Sequence, residues 1–117
     1  MGFGSYDVVI HMSEKSSAPK FWNDRVVVVT GGNGFLGRNV VDAFRHAGAK
    51  VVAPRRSEAD LTQPGVALDL FKKHKPSHVV HLAARVGGIG YNQVAPAPLY
   101  LDNLMMGTNT IEAARVT

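Results

Sequence analysis

From Arg25 onward the apolar and polar positions settle into a regular succession of two periods. Arg25-Val-Val-Val-Val-Thr30 is a β-branched run without alternation, the pattern of a strand buried on both faces of a parallel sheet. A glycine-rich turn, Gly31 to Gly37, follows it, and then Phe35, Leu36, Val40, Val41 and Phe44 recur at helical spacing. That helix is expected to stop at Ala47-Gly48, with Gly48 suited to the left-handed position after the last turn. Lys50 to Ala53 predicts a second, short strand, broken by Pro54. Pro64 and Gly65 open a second helix that carries Val66, Leu68, Leu70 and Phe71 and closes near Pro76. His78 to Ala83 predicts a third strand. Gly87, Gly88 and Gly90 mark a loop, and a last helix is expected from about Leu99 to Arg115. Its broad apolar face would carry Leu101, Leu104, Met105, Thr108, Ile111 and Ala114.

Strand, helix, strand, helix, strand, helix is the alternation of an α/β fold with a parallel sheet. Residues 25–117 therefore read as one such domain, and residues 1–24 as an N-terminal extension of different character. Asp7 to Ile10 is too short to be more than a stray strand, and Ser13 to Lys20 is polar. Met12 is a possible natural start, which would make residues 1–11 upstream or vector-derived sequence. Phe21 and Trp22 are expected to pack on the domain that follows, because adjacent aromatics are costly to leave in water.

Composition narrows the function classes. At 117 residues, 45% of them hydrophobic, the chain can bury one modest core. The formal charge of +4 suggests an anionic partner. However, the densest basic stretches, Lys72 to Lys75 and Arg55-Arg56, are short and lack the interleaved aromatics of a nucleic-acid surface. No nucleic-acid partner is expected. With no cysteine and no ligand spacing among His11, His46, His74, His78 and His81, no metal site is expected. No apolar run approaches the roughly 20 residues of a membrane span, and no secretory signal opens the chain, so no membrane partner and a cytoplasmic location are the expectation.

The candidate chemistry lies in Thr30-Gly-Gly-Asn-Gly-Phe-Leu-Gly37. It reads as GxxGxxG through Gly31, Gly34 and Gly37, or as GxGxxG through Gly32, Gly34 and Gly37. Glycines here serve a tight strand-to-helix turn, a close approach to a pyrophosphate, and close packing of helix on strand. The pyrophosphate would sit on free amides at the positive helix N-terminus. A P-loop's lysine and hydroxyl are missing, which disfavours nucleotide hydrolysis. An NAD site holds the ribose 2′-hydroxyl with a carboxylate near the end of the second strand. That point here is Ala53-Pro54-Arg55-Arg56, with no carboxylate before Glu58. Two guanidinium groups suit a 2′-phosphate, so NADP is expected over NAD, unless the arginines merely face solvent. Asp60 and Leu61 either border the adenine or shape a turn.

Three segments together carry a narrower likeness: the glycine turn within residues 21–37, HLAARVGGIG at 81–90, and DNLMMGTNTIEAAR at 102–115. The stretch from Phe21 to Arg115 resembles the extended short-chain dehydrogenase/reductases, and among them the GDP-L-fucose synthases, which are GDP-4-keto-6-deoxymannose epimerase/reductases. The resemblance implies a partial Rossmann fold: a three-stranded parallel sheet, first strand in the middle, with flanking helices. It implies that Gly31, Gly34 and Gly37 line an NADP pyrophosphate, with amides from Asn33, Phe35 and Leu36. Arg56, with Arg55 beside it, would meet the 2′-phosphate. Leu82, Ala83 and Ala84 would wall the nicotinamide ribose, and the loop from Val86 to Asn92 would approach the nicotinamide and the sugar. Asn103 would hold the last helix near the cofactor, or else satisfy local backbone. Tyr91 departs from the small residue usual at its position.

The resemblance also implies that the family's Tyr-x-x-x-Lys pair and sugar-nucleotide domain lie beyond Thr117. Tyr6, Tyr91 and Tyr100 have no lysine four residues on, so no catalytic residue is expected here. The expectation is thus an NADP(H)-binding portion of a nucleotide-sugar epimerase/reductase, incompetent alone. The alternative is a non-catalytic nucleotide-binding or protein-interaction module. The outer edge of the third strand (Val79, Val80, Leu82) would invite a homodimer or larger assembly.

Overall fold

The computed structural model describes residues 21–117. The expectations for Asp7 to Ile10, for Met12 and for residues 1–11 lie outside the described residues. The elements run β1 (Val26–Thr30), α1 (Phe35–His46), β2 (Lys50–Val52), α2 (Val66–His74), β3 (His78–His81), α3 (Ile89–Val94) and α4 (Pro96–Val116). The sheet is parallel and ordered β2-β1-β3, as expected for a partial Rossmann fold. Val28 of β1 pairs with Val52 on one side and Val79 on the other, and Thr30 reaches His81 at the end of β3.

The uninterrupted valines of β1 place apolar side chains on both faces, and Val27, Val28 and Val29 are completely buried. Val28 packs with Leu61, Ala67, Phe71, Met106 and Ala113, joining α2 and α4 to one face. Val27 and Val29 pack with Val41 and Ala49, joining α1 to the other. The three-layer arrangement follows directly, since each face of a buried parallel sheet needs a helical cover. Trp22 closes the α1 side by edge-to-face contacts with Phe44 and His78, centroids 4.8 and 4.9 Å apart respectively, while Phe21 meets Trp22 edge to face and stays largely exposed.

Helix α1 ends in two interlocked bonds, Ala49 N–H to Phe44 O and Gly48 N–H to Arg45 O, with Gly48 at φ +96°. This is the left-handed termination that the sequence leads one to expect. Three expectations are corrected. Phe35 and Leu36 do not join the α1 core: Phe35 is 94% exposed, because the first turn of α1 opens onto a cavity and not onto the sheet. The stretch 86–92 is not all loop, since Ile89–Val94 forms the short helix α3. On α4 the buried residues are Leu99, Met106, Thr110 and Ala113, while Leu101, Leu104 and Ile111 face outward. Met106 and Ala113 pack with Ala67 and Phe71 of α2 and with Val28 of the sheet.

Candidate functional site

The site grows from the junction of β1 with α1. Gly31, at φ +70°, takes a conformation that other residues adopt at a cost, and a β-carbon on it would lie 2.7 Å from the Leu82–Ala83 backbone. One turn into α1, a β-carbon on Gly37 would lie 2.0 Å from Gly31 O. Turn, helix and the end of β3 therefore nest at backbone contact. Gly34 caps α1 in extended geometry, with no side-chain cap and no acidic residue in the first turn. Arg38 N–H is the first to close onto the helix, at Gly34 O. The amides of Phe35, Leu36 and Gly37 precede that bond and have no intrahelical acceptor. Three donors at a positive helix end suit an anion.

Thr30 ties the turn to the opposite wall. Its buried Oγ1 accepts N–H bonds from Leu82 and Ala83, each 3.2 Å, and lies 2.7 Å from His81 Nδ1. Asn33 crosses to β2 by donating from Nδ2 to Ala53 O at 3.2 Å.

A cavity of about 640 Å³ opens here. Gly31, Asn33, Gly34, Phe35, Leu36 and Gly37 form its floor. Arg55, Arg56, Asp60 and Leu61 form one end, and Leu82, Ala83 and Ala84 form a small-residue wall. Arg55 is set by its N–H bond to Glu58 Oε2 at 2.7 Å. Asp60 does more than shape a turn: Oδ1 accepts from Thr62 N–H and hydroxyl, while Oδ2 faces Arg56. The Thr62 hydrogen bonds, with the Arg56 charge adding to them, hold the Asp60 carboxyl below the usual carboxylate range.

Asn103 stands outside the cavity. Its Oδ1 accepts Arg85 N–H at 2.7 Å and its Nδ2 donates to Arg85 O at 2.9 Å. Both polar atoms are thus committed to the backbone just beyond the wall. The cavity also recruits residues that the glycine pattern does not single out: Thr30, Pro54, Ala59, Arg85, Val86 and Met106. Arg85 follows directly on the small-residue wall, and its guanidinium reaches the Asp102 carboxylate and the Tyr91 hydroxyl. The Asp102 hydrogen bond is the main reason its basicity is raised. Tyr91 in turn packs against Gly87, where a β-carbon would lie 2.4 Å from its ring. The signal for Arg85 was its place after HLAA, at the carboxyl end of a parallel strand, where α/β sheets bind ligands.

The donor set fits a dinucleotide. Free amides suit a pyrophosphate, two guanidinium groups suit a further phosphate, and a wall of alanines leaves room for a ribose. Known proteins agree with this geometry. The chain is 30% identical over 89 residues to GDP-L-colitose synthase of Yersinia pseudotuberculosis, covering 76% of this chain and 29% of that protein. It is 32% identical over 85 residues to GDP-L-fucose synthase of Azorhizobium caulinodans, covering 73% and 27%. Among solved structures it superposes on MlghC, a GDP-mannoheptose C4 reductase from Campylobacter jejuni with NADP bound. The TM-score is 0.73 at 26% identity, with 80% of this chain and 30% of that one covered. The chain thus spans less than a third of the length of each. Residues 27–117 match the profile of the NAD dependent epimerase/dehydratase family, and with the β2-β1-β3 sheet and its glycine turn this places the chain within that family.

Proposed function

We propose that this chain binds NADP(H) in the cavity above the glycine turn, and that it forms the cofactor-binding portion of a GDP-sugar epimerase/reductase. The observation that carries the reading is one cavity joining the open amides of α1, Arg55 and Arg56, and the Leu82–Ala84 wall. The α1 amides from Phe35 to Gly37 take the pyrophosphate, Arg56 and Arg55 take the 2′-phosphate, and Leu82 to Ala84 border the nicotinamide ribose. Asp60 and Leu61 border the adenine. Asn103 acts on the cofactor indirectly, through the Arg85 backbone that it clamps. Bound NADPH would supply a hydride to a keto sugar. Relatives named for GDP-L-colitose, GDP-L-fucose and a GDP-heptose support the sugar-nucleotide class.

The chain contains no tyrosine followed four residues on by lysine, so cofactor binding, not turnover, is the activity to measure on these 117 residues. A second copy pairing along the outer edge of β3 is part of the proposal, and a monomer at all concentrations in sedimentation equilibrium would remove that part. Calorimetry with NADPH, NADH and GDP tests the main reading. NADPH is expected to bind most tightly. No heat with NADPH would overturn the cofactor assignment, and tighter NADH binding would overturn the role of Arg55 and Arg56.

A further inference from the structure

Asparagine is a poor residue for a helix interior, because its side chain competes with the backbone for hydrogen bonds. Asn109 nevertheless stands inside α4, and its side chain is spent on another part of the chain: Nδ2 donates to Leu61 O at 2.9 Å, across 48 residues of sequence. Neither Asn109 nor Thr62 lines the cavity, whereas Leu61, Asp60 and Arg56 do.

The bond falls on one particular peptide. Leu61 O and Thr62 N belong to the same peptide unit, and Thr62 N–H donates to Asp60 Oδ1 at 3.1 Å. Among the described residues, Leu61 O has no donor other than Asn109, and Thr62 N–H has no acceptor other than Asp60. Gln63 N–H closes the turn onto Asp60 O at 3.0 Å, and the buried Leu61 side chain fixes where the chain crosses the core. Neither of these sets the tilt of the central peptide, which depends on ψ of Leu61 and φ of Thr62. Thr62 keeps a negative φ, so the freedom left is a tilt within one basin and not a change of turn type. A tilt is enough, since the Thr62 amide bond already lies near the long end of the N–H···O range.

We propose that Asn109 is a positioning residue for the 2′-phosphate end of the cavity: by holding the Leu61–Thr62 peptide it keeps the Asp60 carboxylate on Thr62 and off the Arg56 guanidinium. The inference rests on the cofactor reading for its effect on affinity, although the tether on Asp60 does not.

Asp60 Oδ2 stands 3.6 Å from Arg56 Nη2, beyond the about 2.7–2.9 Å of a closed charge-assisted bond. Its other oxygen is occupied by the Thr62 amide and hydroxyl. The carboxylate is therefore held short of the arginine, which keeps its N–H groups for a phosphate. Once the peptide tilts, the amide leaves Oδ1 and the carboxylate can close on Arg56. There it competes with the 2′-phosphate for the guanidinium and repels it. The two Thr62 bonds are the largest causes of the lowered Asp60 pKa, in agreement with a carboxylate kept on Thr62.

Asn109→Leu fills a similar volume without a donor and favours the helix more than asparagine does. Calorimetry with NADPH and NADH compares it with the wild-type chain. NADPH is expected to bind up to about fivefold more weakly, the worth of one exposed ion pair, and NADH is expected to bind unchanged. In the Asp60→Asn chain the same substitution at 109 should alter neither affinity, because no carboxylate is left to release. An equal loss for both cofactors would overturn the proposal, as would the same NADPH loss in the Asp60→Asn chain.

Carbon-13 titration of the Asp60 carboxyl reads the tether without cofactor. The Asp60 midpoint should rise toward 3.8 in Asn109→Leu, since the amide bond that lowers it is weakened. That rise supports the tether even where NADPH fails to bind the wild-type chain and the cofactor reading falls. An Asp60 midpoint unchanged from wild type overturns the proposal. Asn109→Ala carries both measurements if the leucine variant does not fold.

Discussion

Arg56 Nη2 lies 3.6 Å from Asp60 Oδ2 across the end of the cavity, while the other oxygen of Asp60 takes two hydrogen bonds from Thr62. The carboxylate is anchored and the arginine, with 64% of its side chain exposed, is free to turn toward a ligand. An exposed pair of this kind contributes little stability. Its consequence is in binding: a charge-assisted bond to a 2′-phosphate is expected to contribute about 1.5 kcal/mol at such an exposed position. Arg56→Ala should therefore weaken NADPH binding about tenfold and leave NADH within about twofold. Calorimetry with the two cofactors checks the difference, and equal losses for both would remove Arg56 from phosphate recognition.

Asp60 also predicts a pH dependence. The Thr62 bonds hold its pKa below the ordinary value of 3.8. The folded chain therefore holds this carboxyl ionised more strongly than the unfolded chain does. The resulting stabilisation is complete above that ordinary value and lost as pH falls from there through the folded pKa. Urea midpoints of the wild type between pH 5 and pH 3 are expected to fall more steeply than those of Asp60→Asn. Parallel slopes would count against an anchored carboxylate.

Much of this site was legible because its signals are local. Four consecutive valines followed by spaced glycines define a buried strand and its turn, and Arg55-Arg56 falls where the second strand ends. The face of α4 was not legible, because apolar side chains surround that helix and periodicity selects no stripe. The buried set follows from the packing of α4 on α2 and the sheet, a face that holds Met106 and Ala113 while Leu104 and Ile111 stay exposed. Three glycines within 87–90 argue against a helix. In the structure α3 also carries Tyr91, whose hydroxyl accepts from the Arg85 guanidinium. The contact of His81 with the Thr30 hydroxyl joins residues 51 apart in sequence, beyond any local motif.

Thr110 is 3% exposed and its hydroxyl has no partner among the described residues. Folding strips that group of water without replacing the lost bond. Thr110→Val keeps the shape and removes the polar atom. It should raise stability by about 1 kcal/mol, read as a higher urea midpoint at unchanged slope.

Phe71 on α2 is 1% exposed and touches the cluster built on Val28, Leu61 and Met106, where α2 and α4 meet the sheet. Phe71→Ala should cost about 3–5 kcal/mol, enough to unfold a domain of this size at moderate temperature. Phe71→Leu should recover more than half of that. Thermal unfolding followed by circular dichroism orders the three chains, and an alanine variant as stable as the leucine one would place Phe71 outside the core.

Asn103 separates cofactor contact from positioning. It does not line the cavity, yet its two bonds fix Arg85 next to the Ala83–Ala84 wall. Asn103→Ala leaves both Arg85 backbone groups without their partner, so order in residues 85–94 should fall, at a cost of about 1–3 kcal/mol. The loss acts at the wall and not at the arginine end. NADPH should therefore bind severalfold more weakly to Asn103→Ala, while 2′,5′-ADP, which ends before the wall, should bind as it does to the wild type. Asn103→Asp, which keeps the acceptor for Arg85 N–H and loses the donor, should fall between the two. Calorimetry with both ligands gives the ratio, and an equal loss for NADPH and 2′,5′-ADP would indicate general unfolding in place of a displaced wall.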